Sequence, residues 1–267
     1  MACQSCEDLE IVADQLQLSP ISEKTPDVTI TTHKRTVDKA SMSLVPNDDG
    51  LENLFPCLIY GDGNCLPRCG SLFAYGTENK HLDIRARIVL HLVKYKEIYL
   101  NADFIRNDRQ KSTNDARTFA MFSEFFSGEN LTDLAVQRIF EKEVFSIRKS
   151  GTYMGAWQMA ALANVLNRPV RSVYPLYGGQ TVRKELNRTF FPFTSEKQQD
   201  QGTVYILWTN LLGDSIPEIQ WKPNHSVVLL PLQEPVKHSY EVLNNDAGWE
   251  DVTSFFVTFE HSLVRIL

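Results

Sequence analysis

The patterned part of the chain changes its hydrophobic period once, and that change restricts the fold more than any other feature. From Cys65 to Asn167 apolar residues recur every three to four positions, the repeat of helices with one buried face. After Pro169 they come as short β-branched and aromatic runs: Val170–Tyr174, Thr203–Trp208 and His225–Leu230. Helices first and strands afterwards require a sheet with helices on its faces, an α+β or α/β domain.

Strong patterning begins near Leu54. The run Leu54–Tyr60 leads into Gly61-Asp62-Gly63-Asn64, a turn of residues that tolerate unusual backbone angles. Cys65 to Phe73 reads as a helix, with Pro67 in the first turn, where a missing N–H costs nothing. A second helix is expected from Leu82 to Leu100, stacking Ile84, Ile88, Leu92, Tyr95 and Tyr99. Two more follow at Asp115–Phe126 and Asp133–Lys149. The helix Gly155–Asn167 carries Trp157, Ala160, Ala161 and Val165 on its apolar side and stops at Asn167-Arg168-Pro169. Residues 1–45 are rich in Ser, Thr, Asp and Lys and read as a flexible arm in which only Leu9–Leu18 could form a short helix. Residues 46–235 form the expected domain, and 236–267 a C-terminal extension of unassigned packing.

With 27 basic and 33 acidic residues the formal charge is −6, which gives no electrostatic reason to expect nucleic acid or an anionic membrane as partner. No apolar stretch approaches the roughly 20 residues that span a bilayer, and Met1–Gln15 does not read as a signal peptide. Five cysteines at no disulfide-scaffold spacing point to a reducing compartment, cytoplasm or nucleus. Cys3-Gln4-Ser5-Cys6 has half a zinc-site spacing without a second pair to complete it, so no metal and no cofactor is expected.

Cys65 is the candidate nucleophile. It follows a glycine-rich turn and opens a helix, where free N–H groups and the helix dipole favour thiolate over thiol. The same turn can present N–H groups to a tetrahedral intermediate, and Gly63 leaves room for a substrate backbone. Against this stands the ordinary fate of a free cysteine, burial as a small hydrophobe. Cys57, in an apolar run, and Cys69, one turn beyond Cys65, keep that reading.

Three blocks resemble one family. Gly61-Asp62-Gly63-Asn64-Cys65-Leu66 with Arg68 is similar to the nucleophile motif of ovarian-tumour (OTU) deubiquitinases. Tyr153–Ala163, continuing to Leu166–Val170, resembles the family's helix-then-strand block, and Trp221–Leu229 its closing histidine strand. With Pro67 where the family prefers an aromatic residue, the context is nearest to the vertnin-like branch. The resemblance implies a papain-like cysteine protease fold, with a central sheet flanked by helices. It implies a monomeric thiol isopeptidase acting on ubiquitin or polyubiquitin chains. Cys65 would attack the carbonyl of ubiquitin's C-terminal glycine, and His225 would take and return the proton. Asp62 would shape the oxyanion loop, and the backbone N–H groups of Gly63, Asn64 and Cys65 would hold the oxyanion.

One position departs from the family. Two residues beyond the histidine many OTU enzymes carry Asp or Asn, and here Val227 stands there, with no acceptor to orient the imidazole. Asn224, Asn210, an upstream polar residue (Asp48, Asp49, Glu52 or Asn53) or a backbone carbonyl remain as alternatives. The departure also leaves open a pseudoenzyme that binds ubiquitin or another partner. A hydrolase for a different ubiquitin-like modifier is a third reading.

Overall fold

The computed structural model describes residues 5–16, 21, 28–30, 35–48, 50–101, 115–193, 202–211 and 221–232. In chain order these contain α1 (Cys6–Gln15), β1 (Leu54–Cys57), α2 (Cys65–Tyr75), α3 (His81–Lys94), α4 (Lys96–Leu100) and α5 (Asp115–Phe122). There follow α6 (Asp133–Ile147), α7 (Ala156–Leu166), β2 (Val170–Val173), α8 (Gln180–Leu186), β3 (Arg188–Phe190), β4 (Val204–Thr209) and β5 (His225–Pro231). The five strands make one mixed sheet in the order β1-β5-β4-β2-β3. Only β2 and β4 run parallel, and the other neighbours are antiparallel. The class is α+β.

Helix α2 lies against β5, α7 against β2 and β3, and α3 packs on both helices. Close approach of α2 and α7 depends on Gly70, where a Cβ would meet Leu162 at 2.7 Å and Ile84 at 2.9 Å. The α7 helix is apolar on nearly every side, and Trp157 to Ala163 are all buried. It ends where Asn167 takes a left-handed conformation (φ 50°), two residues before Pro169, which could not continue a helix. Trp157, Trp208 and Trp221 are all core residues. The indole N–H of Trp208 donates to Ser172 Oγ (2.7 Å).

Two expectations need correction. The helix foreseen over Leu82–Leu100 breaks at Tyr95 (φ −114°, ψ 31°) into α3 and α4, although the three- and four-residue spacing runs through the break. The N-terminal arm is built into the domain in its described parts. The short helix there is α1, whose Leu9 and Ala13 are buried, and α1 packs on α3. Ile30 bridges Leu232, and Val37 bridges Cys57 at the sheet edge. Isolated apolar residues in a polar segment carry no periodicity, and burial of Ile30 and Leu44 needs partners far along the chain. The C-terminal extension 236–267 lies outside the described residues.

Candidate active site

The turn before Cys65 is held shut by charge. Arg68 donates from Nε to Asp62 Oδ1 (3.1 Å) and from Nη2 to Oδ2 (2.7 Å), a bidentate fork from the first turn of α2 back to the turn that precedes it. Asp62 Oδ1 also accepts the backbone N–H of Asn64 (3.0 Å). The Arg68 fork, more than the Asn64 N–H, holds the Asp62 carboxyl well below the usual carboxylate range. Asp62 is thus a fixed anion that shapes the loop, with both oxygens occupied and no proton to exchange at neutral pH.

Gly63 has φ 77°, a left-handed conformation that favours glycine. The space above it is taken by this chain itself: a Cβ on Gly63 would lie 1.9 Å from the carbonyl oxygen of Gly151. The close approach expected of a substrate backbone is made here by the turn between α6 and α7. Asn64 ties the same two loops. Its Oδ1 accepts from Arg85 Nε (3.1 Å), Ser150 Oγ (3.3 Å) and Gly151 N (3.1 Å). Because its own N–H already donates to Asp62, Asn64 is not a free oxyanion donor as expected. Gly63 and Cys65 are the candidates that remain.

Cys65 is the first residue of α2 and is 1% exposed. Backbone N–H groups of Ser226, Leu66 and Cys65 itself approach the sulfur and favour the thiolate, yet burial outweighs them and pushes the thiol above its ordinary 9.0. Both sequence readings therefore hold at once: Cys65 stands at a helix N-terminus, and it is buried. The Ser226 hydroxyl faces the thiol but forms no hydrogen bond of good geometry. Tyr153 is close enough to sense charge on Cys65. Cys69 is fully buried, and its Sγ donates to the Ser226 carbonyl (3.6 Å).

His225 opens β5, paired with Thr209. Consecutive side chains of a strand point to opposite faces, so His225 and Ser226 diverge, and no hydrogen bond joins His225 to Cys65 among the described residues. The ring lies instead by the loop that carries the nucleophile. Burial lowers its pKa below the ordinary 6.5, opposed by the charge of Asp38, a hydrogen bond to the Ile59 carbonyl and the charge of Asp62. Among the described residues, the side-chain alternatives that the sequence offers for orienting the ring are engaged elsewhere or do not reach it. Asn224 Oδ1 accepts the Leu211 N–H (2.9 Å), and Asn210 Nδ2 donates to the Lys222 carbonyl (2.6 Å). Asp48 pairs with Arg171 (3.9 Å), Glu52 accepts the Gly50 N–H (3.0 Å), and Asn53 is exposed. Asp49 lies outside the described residues. Val227 is a core residue.

Arg85 was missed by sequence reasoning, because an arginine on an amphipathic helix ordinarily marks the solvated face. Here it is 3% exposed and binds the nucleophile loop. At the other end of the chain Cys6 donates from Sγ to the Glu141 carbonyl (3.1 Å), and Cys3 lies outside the described residues.

A cysteine-first helix behind a Gly-Asp-Gly-Asn turn, with a histidine opening the neighbouring strand of a mixed sheet, defines the class as an OTU domain. Residues 56–209, more than half of the chain, match the family model described as the OTU domain of Vertnin, and the chain belongs to that family. Cys65 lies inside the matched stretch and His225 beyond it. The chain is 27% identical to Vertnin of Danio rerio over 194 residues, which are 73% of this chain and 28% of that protein. It is 26% identical to Vertnin of Bos taurus over 241 residues, 85% of this chain and 35% of that protein. It spans about a third of the length of the curated relatives it matches. Among solved structures it is similar to the OTU domain of OTUD1 (TM-score 0.36, 15% identity, 67% of this chain and 86% of that one). It is also similar to the viral OTU domain protease of Farallon virus (TM-score 0.37, 13% identity, 70% of this chain and 98% of that one).

Proposed function

We propose that this domain is a thiol isopeptidase that releases ubiquitin from lysine side chains or from ubiquitin chains. The observation that carries the reading is the place of Cys65, first residue of α2 behind a turn fixed by the Arg68–Asp62 fork, where a helix start offers free backbone N–H donors. Such donors stabilise a thiolate and then an oxyanion beside it. In the reaction the Cys65 sulfur bonds to the carbonyl carbon of ubiquitin's terminal glycine while its proton passes to His225. His225 then protonates the departing lysine amine, the C–N bond breaks, and a thioester remains. Water, deprotonated by His225, hydrolyses the thioester and restores the thiol. Substrate binding has to uncover the thiol and bring His225 to it. Leu58, Tyr60 and Leu211 are exposed, and Leu211 lies against Gly61 in the nucleophile loop, so apolar surface is on hand for a peptide tail.

The test is a ubiquitin whose C-terminus carries an electrophile, followed by a panel of di-ubiquitins of every linkage. An adduct and cleavage that both vanish in Cys65→Ala support the reading, and failure with every ubiquitin and ubiquitin-like probe removes it. A second reading, a pseudoenzyme that binds ubiquitin without cutting it, is favoured by one observation: the covered thiol has no hydrogen bond to His225. It requires binding without turnover, so cleavage of any di-ubiquitin that depends on Cys65 excludes it.

A further inference from the structure

Arg85 projects from α3 into the space between two loops. Its Nε donates to Asn64 Oδ1 (3.1 Å) and Nη1 to the Ile147 carbonyl (2.6 Å). Nη2 donates to the carbonyls of Gly63 and Thr152, each at 2.9 Å. All four acceptors are neutral, and among the described residues no carboxylate forms an ion pair with it. Hydrogen bonds satisfy the N–H groups of a buried guanidinium but leave its charge uncompensated, which is costly away from water. Burial accordingly pulls the Arg85 pKa down to about 10, while Cys65 and then Asp62 act to raise it. Asp62 already has Arg68 on both oxygens. That leaves a guanidinium with no carboxylate partner among the described residues, bonded to the two residues that precede Cys65.

The bonds also fix geometry. The peptide between Gly63 and Asn64 is pinned at both ends, its carbonyl by Arg85 (2.9 Å) and its N–H by Asp62 (3.0 Å). It cannot rotate without breaking both bonds, and the next N–H along is that of Cys65. We propose that Arg85 is a positioning residue for the nucleophile: it sets the Gly63–Asn64 peptide and supplies the positive charge beside which Cys65 gives up its proton. The proposal rests on reading Cys65 as the nucleophile of the isopeptidase. A purely structural Arg85, a clip between α3 and the loops, would affect stability and leave the ionisation of Cys65 alone.

The full chain and its Arg85→Met and Arg85→Lys variants distinguish the two. Alkylation of Cys65 by iodoacetamide is followed against pH, with the modified site assigned by peptide mass mapping, beside di-ubiquitin turnover and circular dichroism. A neighbouring opposite charge shifts a pKa by about 1 unit or more, so Arg85→Met should raise the alkylation midpoint by at least that, about tenfold less thiolate at a given pH. Arg85→Lys should keep the midpoint near that of the parent and still lose turnover about tenfold or more, because an ammonium cannot reproduce the fork. A folded Arg85→Met with an unchanged midpoint overturns the proposal. Should Arg85→Met fail to fold, Arg85→Lys decides: a raised midpoint overturns the role of the charge, and unchanged turnover overturns the positioning. A midpoint shift in a chain that cuts no ubiquitin substrate would retire the isopeptidase reading and leave the role of Arg85 standing.

Discussion

Gly63 and Gly151 touch backbone to backbone, so closely that a Cβ on Gly63 would sit 1.9 Å from the Gly151 carbonyl oxygen. The two glycines, at φ 77° and 83°, are both left-handed, yet only one of them is crowded. A Cβ on Gly151 would meet nothing nearer than the Asp62 carbonyl at 3.5 Å, an ordinary contact. Gly151→Ala should therefore cost only the left-handed strain, about 1–2 kcal/mol. Gly63→Ala adds a collision with main chain that cannot move aside. It should lose more than about 3 kcal/mol, the range reserved for strain and overpacking combined. Urea unfolding of the two variants measures the difference, and equal losses would show that the loops separate easily.

Asp62→Asn should weaken the domain through Arg68 while leaving the turn's acceptor in place, since Asn keeps an oxygen for the Asn64 N–H. Charge-assisted hydrogen bonds contribute about 1.5–3 kcal/mol when buried. Asp62 and Arg68 keep 27% and 13% of their side-chain exposure, so screening brings the expected loss to about 1 kcal/mol. The folded-state pKa of Asp62 is depressed by Arg68, so the stabilisation is complete above the unfolded value of about 3.9. It is lost as pH falls further, toward the folded pKa. Parent and variant should differ most above the unfolded pKa and draw together only as pH falls far below it, toward the folded pKa, and an offset that does not shrink in acid would assign the effect to packing.

How much of this could be read from residues alone divides along physical lines. The α2 and α7 helices and strands β2, β4 and β5 were foreseen because each carries its own signal: Pro67 in a first turn, an apolar face, a β-branched run. The three-residue β3 and the short polar α8 are too brief to show a period. Cys65, Asp62 and His225 stood out by residue type and motif. Arg85 did not, because its role exists only once α3 turns it inward under the Gly63 loop.

Glu143 on α6 is a buried carboxyl beside the start of α7. Its Oε1 would stand 3.5 Å from a Cβ at Gly155, and Oε2 has no hydrogen-bond partner. Burial raises its pKa to about 7, against the lowering effect of Ser123 and Gln158 and with a further push from Glu124. The folded protein thus holds a proton that the unfolded chain releases near pH 4.5, so stability falls as pH rises from there to about 7 and is level beyond. At 1.36 kcal/mol per unit the loss approaches ~3 kcal/mol. Glu143→Gln should remove it, making the variant the more stable protein at pH 8 and nearly equal to the parent at pH 5. Thermal melts across that range check the crossover, and a variant destabilised equally at both values would mean that the carboxyl is ionised and satisfied.

The candidate pair itself makes a prediction about pH. Burial raises the Cys65 thiol above 9.0 and lowers the His225 imidazole below 6.5, so both groups are neutral in the resting domain. A preformed thiolate–imidazolium pair would need the reverse order. Catalysis from a neutral pair has His225 remove the thiol proton during attack, as a general base. The acid limb of kcat/KM then reports the free-enzyme histidine and should fall below pH 6.5, with a plateau extending to about pH 9. Proton transfer in the rate-determining attack adds a solvent deuterium isotope effect above unity, which an already ionised thiolate would lack. His225→Ala should lower kcat/KM by about 10²–10⁴-fold at pH 7, the usual contribution of a general base. Part of the lost rate should return as pH rises through the thiol's own ionisation. A ubiquitin C-terminal ester or amide reporter, followed from pH 5 to 10, gives every one of these quantities. An acid limb above 6.5, or an isotope effect of one, would place the proton on His225 before the substrate arrives.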